Sequence, residues 1–415
     1  MKKGIIVCVA QARHRLNKRF VVLYFITFLV VFPVLCFLLR NSFCSLRYDE
    51  AARKRFLLTE NSRRLEEAQR YFEMLDRTKL HQMLQHYNNV QGRDTLSIAL
   101  IIITVSRNRH QIDSYEPNYL TQVVWKFLMQ LHAIEDEGFA HQVSLSICNV
   151  DHDPANYAEA INISRFVPMF QRFNETHFST VHLHEKEKQD YVFCLNRALE
   201  NDPDFVLLVE DDALPTPDFF HVLDYTLAMH LTKRLLRGEF FPQHETIAYV
   251  KFFHPDWLLS FWGLERERIP ELISLTTIIG LALTCVYFLF RKSHDTKPSS
   301  IPAIVCLFVY SFLVVAAVGR PNFNKMRTIL SPYVHTFSPA PSCCTPAMLF
   351  PAEGAKQVVS YLNQVTCSNN FGKDSGLDRL LVEKGMKAYL VQPSTFTHIG
   401  LYSSLRDRMV DPFIV

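Results

Sequence analysis

Residues 205–212 read FVLLVEDD. Phe205 to Val209 form a short, wholly apolar run. Such a run suits a strand buried on both faces of a sheet. Glu210, Asp211 and Asp212 follow at once. Like charges a few Å apart raise one another's pKa or recruit a cation. A hard divalent ion with oxygen ligands is the usual solution, and it leaves positions open for phosphate oxygens. Shared with a diphosphate, such an ion stabilises charge on a leaving group. The segment therefore reads as the metal ligand of a nucleotide-diphosphate site. Taken alone it also fits a solvated turn or a helix N-cap.

Working outward, strand and helix alternate. Ile98–Val105 (IALIIITV) reads as a central strand. Pro117 opens a helix carrying Val123, Val124, Phe127, Leu128 and Leu131. Val143–Val150 is a second strand, ending at Asp151, and Glu185–Leu199 is the helix before FVLLV. This alternation argues for an α/β sheet with parallel strands. Ligands of such sheets sit at the carboxyl ends of the strands. The ends that matter are Ser106-Arg107, Asp151 and Glu210-Asp211-Asp212. Further on, Cys343–Phe350 is apolar, helices follow from Ala352 and after Phe371, and Ala388–Val391 is a short strand leading to His398. Neither 94–268 nor 320–415 makes a complete fold, so one domain interrupted by an insertion is expected, rather than two separate ones. Residues 49–90 are charged with a helical apolar period and read as a stem.

The insertion is apolar. Phe20–Leu39 carries no charge across twenty residues and is followed by Arg40, which reads as a signal anchor over 20–39 rather than a cleaved signal. Leu272–Phe290 and Ile301–Val318, joined by a polar link at 291–300, read as a membrane hairpin within 272–318; a buried helical hairpin is the alternative. The chain has 415 residues, with 44 Lys and Arg against 41 Asp and Glu, a net charge of +3 that argues against a nucleic-acid partner. The basic bias leans only weakly to a cytosolic N-terminus at 1–19. Two sequons, at Asn162 and Asn174, are usable only in the secretory lumen and support a lumenal body. Cys148, Cys194, Cys343, Cys344 and Cys367 fall there, where disulfides are allowed. No CxxC or HxxxH spacing indicates zinc.

VEDDA behind an apolar anchor resembles the acidic motif of metal-dependent, nucleotide-sugar-using GT-A glycosyltransferases. EKEKQDYVFCL, FVLLVEDDALP, SCCTPAMLFPA, FGKD and HIGLYSSLR together resemble the Golgi N-acetylgalactosaminyltransferases that act on glycosylphosphatidylinositol (GPI) anchors. The inserted hairpin resembles that family too. N-glycan-branching N-acetylglucosaminyltransferases are more distantly similar, in the Lys186–Tyr191 helix, the acidic strand end and the tail.

The resemblance implies a GT-A-like nucleotide-sugar-binding sheet in a multi-pass Golgi membrane protein, with the catalytic domain lumenal. The donor would be UDP-N-acetylgalactosamine and the acceptor the first mannose of GPI-anchored proteins, close to the lipid bilayer. An α-linked donor giving a β product requires inversion, with a base to take the acceptor proton. Glu210, Asp211 and Asp212 would hold Mn²⁺ or Mg²⁺ and the diphosphate, although Glu-Asp-Asp departs from an Asp-x-Asp spelling. Thr104, Val105, Ser106 and Arg107, with Asp151, would contact uridine. Lys186 and Asp190 would support the donor, and His398 would meet the metal or diphosphate. Asp374 is the expected base; a helix N-cap is its alternative. An N-glycan-branching enzyme and a non-catalytic adaptor for GPI-anchored cargo are the competing functions.

Overall fold

The computed structural model describes residues 18, 20–38, 50–92, 95–107, 115–135, 138–176, 181–232, 246–255, 258, 261, 268–290, 301–331, 334–403 and 408–410. Most of the expected cytosolic tail, the 291–300 link, Cys8 and Cys44 lie outside them. Two compact units divide the chain, one of residues 1–54 with 256–326 and one of 55–255 with 327–415.

The smaller unit holds three helices long and apolar enough to cross a membrane, Phe20–Leu38, Ile269–Phe290 and Ile301–Val318. Small residues let them approach. A Cβ on Gly280 would lie 2.9 Å from the Phe308 ring. Ala303, Leu307, Ser311 and Val315, one turn apart, are the buried stripe of the last helix. Tyr24 donates its hydroxyl to the Cys306 carbonyl at 2.7 Å, and Arg320 pairs with Glu271 at 2.6 Å.

The larger unit is built on a sheet. Its strands are β1 (Ser97–Thr104), β2 (Gln142–Asn149), β3 (Met169–Gln171), β4 (Phe205–Glu210), β6 (Ile247–Lys251), β7 (Thr336–Pro339), β8 (Ala347–Pro351) and β9 (Lys387–Gln392). Two short strands outside it, β5 (Ala213–Pro215) and β10 (Phe396–His398), pair with each other. The order in the eight-stranded sheet is β3-β2-β1-β4-β8-β6-β9-β7. The four strands on the β1 side are parallel, as the alternation predicts. The other half corrects that expectation, because β8 runs antiparallel to both β4 and β6, and β7 antiparallel to β9. Strands from before and after residues 256–326 interleave, so β6 and β8 are direct neighbours in one sheet.

Side-chain alternation sorts the sheet into two faces. Ile98, Leu100, Ile102, Leu207 and Val209 enter one core, with α2 (Arg77–Asn88), α3 (Tyr119–Glu135) and α5 (Phe219–Thr226). Ala99, Ile101, Val206 and Leu208 enter the other, with α4 (Leu183–Ala198), α6 (Ala352–Leu362) and α7 (Lys373–Lys384). Burying each Leu or Ile contributes ~1.5–3 kcal/mol, which is why runs apolar at every position become central strands. The segment expected as a stem is helical, as α1 (Glu50–Met74) and α2. It packs on the body: Asn61 donates to the Glu116 carbonyl and accepts from Gln122, and Arg64 donates to Gln122 at 2.9 Å. A disulfide joins Cys148 of β2 to Cys194 of α4.

Gly354 sits where α6 meets β6. A Cβ there would lie 2.4 Å from the Ala248 carbonyl oxygen and 2.6 Å from that of Ile247, both backbone atoms that cannot rotate aside. Gly354→Ala is expected to destabilise the sheet by ~1–3 kcal/mol, against a helix propensity that favours Ala. Thermal melting of the detergent-solubilised chain measures this, and an unchanged or raised Tm would contradict the packing described.

Candidate active site

The parallel strands bring the carboxyl ends of β1, β2 and β4 to one edge. The strand order reverses between β1 and β4, which opens a crevice there. Glu210 is the last residue of β4, and the Asp211 N–H donates to the Ile103 carbonyl at 3.0 Å. The three acidic side chains part company at this point.

Asp211 turns inward. Its Oδ2 accepts from Thr104 Oγ1 at 2.7 Å and from the Val105 N–H at 3.3 Å, and its Oδ1 meets Arg107 Nη2 at 2.5 Å. Asp212 takes Arg107 Nη1 at 2.8 Å and His398 Nε2 at 3.3 Å, both on Oδ2. Glu210 points elsewhere: its Oε1 accepts from Thr345 Oγ1 at 3.0 Å and from Lys373 Nζ at 3.1 Å. Arg107 also donates to the Tyr402 carbonyl at 2.9 Å and lies 5.0 Å over the Tyr119 ring. The Tyr119 hydroxyl accepts from the Leu401 and Tyr402 N–H groups, so the same ring pins the tail.

His398 arrives through strand pairing. β10 runs antiparallel to β5 with His398 opposite Ala213, and the Ile399 N–H donates to the Asp212 carbonyl at 2.8 Å. Gly400 closes the contact, since a Cβ on it would lie 2.4 Å from Asp212 Oδ2.

Electrostatics separate the two aspartates. Burial raises the Asp211 carboxyl, and Arg107 only partly offsets it. Burial also acts on Asp212, but Arg107 and His398 outweigh it and hold that carboxyl well below the usual range. Burial lowers the His398 imidazole, yet the facing Asp212 carboxylate raises it overall.

The remaining predicted residues lie apart from this charge cluster or have other partners. Asp151, fully buried, accepts from the Ser106 N–H at 2.8 Å and from the Asp153 N–H at 2.7 Å, shaping the loop beside the crevice. Lys186 pairs with Asp190 at 2.7 Å, and Arg172 holds the other Asp190 oxygen. Asp374 does not cap its helix, because Gly372 occupies that position. Its Oδ2 instead accepts from the Cys344 N–H at 2.9 Å, while Oδ1 is buried with no hydrogen-bond partner. Asn162 and Asn174 are both exposed.

Among the described residues, the group of three His, Cys, Asp or Glu ligand atoms lying within 4.8 Å of one another is His254, Cys343 and Cys344. The two sulfurs of that trio are bonded to each other. For a hard cation the acidic end offers a different donor: Asp212 Oδ1 is buried and has no hydrogen-bond partner. Asp211, by contrast, is engaged by Thr104, Val105 and Arg107.

A sequence profile of the family described as GPI-N-acetylgalactosamine transferase PGAP4 matches residues 98–397. The chain belongs to that family. The PGAP4 match spans every strand of the sheet and both sides of the apolar insertion. The family implies a glycosyltransferase.

Several residues at the carboxylate edge carry no local motif. Tyr157, Glu159, Arg172 and Lys251 reach it from loops, a short helix and a strand, and no spacing in the sequence marks them. Glu159 accepts from the Thr121 N–H and Oγ1, and its Oε2 lies 3.4 Å from the Tyr157 hydroxyl. Tyr157 meets Thr104 Oγ1 at 2.7 Å, and Thr104 donates to Asp211. Burial pushes Glu159 up to about 7, so the folded chain keeps a proton there that the unfolded chain releases near 4.5.

Two predictions follow from this geometry. Stability falls as pH rises from about 4.5 to about 7, because the unfolded state binds fewer protons over that window. Glu159→Gln mimics the protonated form, so it should flatten this part of the Tm–pH curve and match wild type near pH 4.5. An equal slope in both proteins would overturn the assignment. Gly400→Ala displaces the Asp212 carboxylate and should lower turnover about ten-fold, ~1.4 kcal/mol, in a sugar-nucleotide turnover assay; unaltered turnover would refute the close approach.

Proposed function

We propose that the chain transfers N-acetylgalactosamine from UDP-N-acetylgalactosamine to the first mannose of the GPI glycan on GPI-anchored proteins, with inversion. The observation that carries this reading is the PGAP4 family match over residues 98–397, centred on a crevice with a buried, unpartnered carboxylate oxygen. The mixed sheet, parallel from β3 to β4 and reversing at β1, suits a GT-A-like nucleotide-sugar site at the strand ends.

In this reading Asp212, through Oδ1, and His398 would hold a Mn²⁺ or Mg²⁺ ion, and such an ion would supply positive charge for the departing diphosphate. Arg107 keeps Asp212 ionised and fixes its direction. Asp211 acts as a strut that orients Arg107 and the β1 end, and Glu210 anchors Lys373. Ser106 and Asp151, joined by a hydrogen bond, would contact the uridine, and the Lys186–Asp190 pair would support the donor. Asp374 is the base for the acceptor hydroxyl: its free Oδ1 can accept a proton while Oδ2 stays bound to the Cys344 N–H.

The body is read as lumenal in the Golgi, with a cytosolic N-terminus, three membrane crossings and exposed sequons at Asn162 and Asn174. The three apolar helices would anchor the chain in the membrane that also carries a lipid-anchored acceptor. Trp257 and Trp262, just before the second span, would suit an interfacial belt; both lie outside the described residues.

Mass spectrometry of GPI glycans released from cells lacking the chain should show one N-acetylhexosamine missing. Wild type should restore it, and Asp212→Ala should restore less than a hundredth of it. Full restoration by Asp212→Ala would favour an adaptor, and an altered N-glycan profile with normal GPI glycans would favour a branching enzyme.

A further inference from the structure

The loop 341–346 enters β8 at the same edge as the acidic end of β4, and side chains from four elements clamp it. Lys251, at the end of β6, donates to the carbonyls of Pro341 at 3.0 Å and Cys343 at 2.5 Å. His254 Nε2 lies 3.3 Å from the Ser342 carbonyl. The Cys344 N–H donates to Asp374 of α7, and Thr345 Oγ1 donates to Glu210 of β4. The Pro346 carbonyl accepts from the Glu210 N–H at 2.8 Å. The loop thus ties Glu210 at the end of β4 to the candidate base.

Two residues of this loop hold an unfavourable backbone. Cys343 and Cys344 have φ of 67° and 66°. For residues with a Cβ, the left-handed region is unfavourable by roughly 1–2 kcal/mol each. Two in a row persist only under constraint, and the bond between their sulfurs supplies one. This conformation is the one that aims the Cys344 N–H at Asp374 Oδ2.

We propose that the bonded Cys343–Cys344 pair is a positioning element for transfer. It fixes the Asp374 carboxylate with Oδ1 free and makes no contribution to donor binding. This rests on the reading of Asp374 as base. One oxygen held by a backbone N–H sets the direction of the other, so loosening Cys344 lets the carboxylate rotate. Lys251 is buried at 2% exposure and secures the same loop through the Cys343 carbonyl.

The test is a double-mutant cycle between Cys343→Ser/Cys344→Ser and Asp374→Asn in the full chain. Alone, the cysteine variant should lose at least ten-fold in transfer kcat, with the KM for the UDP-sugar within two-fold of wild type. In the Asp374→Asn background it should cost nothing further, since interacting residues are non-additive. Equal losses in both backgrounds, or an unchanged kcat, would overturn the proposal. Cys343→Gly/Cys344→Gly, which accepts the left-handed φ without the sulfur bond, guards against misfolding: it should fold and show the same kcat loss. Amide exchange at residues 373–377 reads the positioning without any activity. It should speed up in both cysteine variants, and protection equal to wild type would refute the proposal. Should wild type transfer no sugar to a GPI acceptor, the functional reading fails while the exchange result still decides this one.

Discussion

The Arg107 guanidinium between Asp211 and Asp212 is the interaction on which the candidate site depends. Two aspartates buried to 3% and 4% exposure cannot both stay ionised side by side without a cation. Arg107 is that cation for both. Because it also reaches the Tyr402 carbonyl and stacks on Tyr119, it couples the end of β1, the start of α3 and the C-terminal tail to one charge pair. Removing it would take the shared countercharge from both carboxylates and one of the tail's tethers at once.

The other acidic residue is handled the same way. Lys373 lies among Glu187, Glu210 and Asp374, and although burial disfavours its charge, these carboxylates raise it well above its usual value. The crevice is therefore lined by charges that are matched in pairs. Two carboxylate oxygens, on Asp212 and Asp374, are left over without a partner, and they are the ones with a chemical task in the proposed reaction.

The sheet explains how an apolar insertion is tolerated inside a catalytic domain. β6 ends at Lys251 and β8 begins at Ala347, yet they are neighbours in register. The chain leaves after β6 and re-enters the sheet at β7, paired with β9, before β8, so the apolar segment between β6 and β7 interrupts no strand. The edge where β6 ends is also where β4 presents its carboxylates.

Much of this was legible in the residues alone. The apolar runs of β1, β2 and β4 and the helices α3, α4 and α6 announce themselves by periodicity, and the acidic end of β4 follows from its position after a buried strand. β6, β7 and the β5–β10 pair did not, because they are short and their partners lie far away in sequence. The type of Glu210, Asp211 and Asp212 was plain, but their division of labour was not. Consecutive side chains on a strand point to opposite faces, and only the surrounding elements decide what each one meets. The sequence by itself determined that acidic groups follow a buried strand and that apolar segments interrupt the domain, since both are local properties of composition. Tertiary structure alone decided that Arg107 and His398 converge on Asp212 and that Cys344 holds Asp374, because those contacts join residues 30 to 186 positions apart.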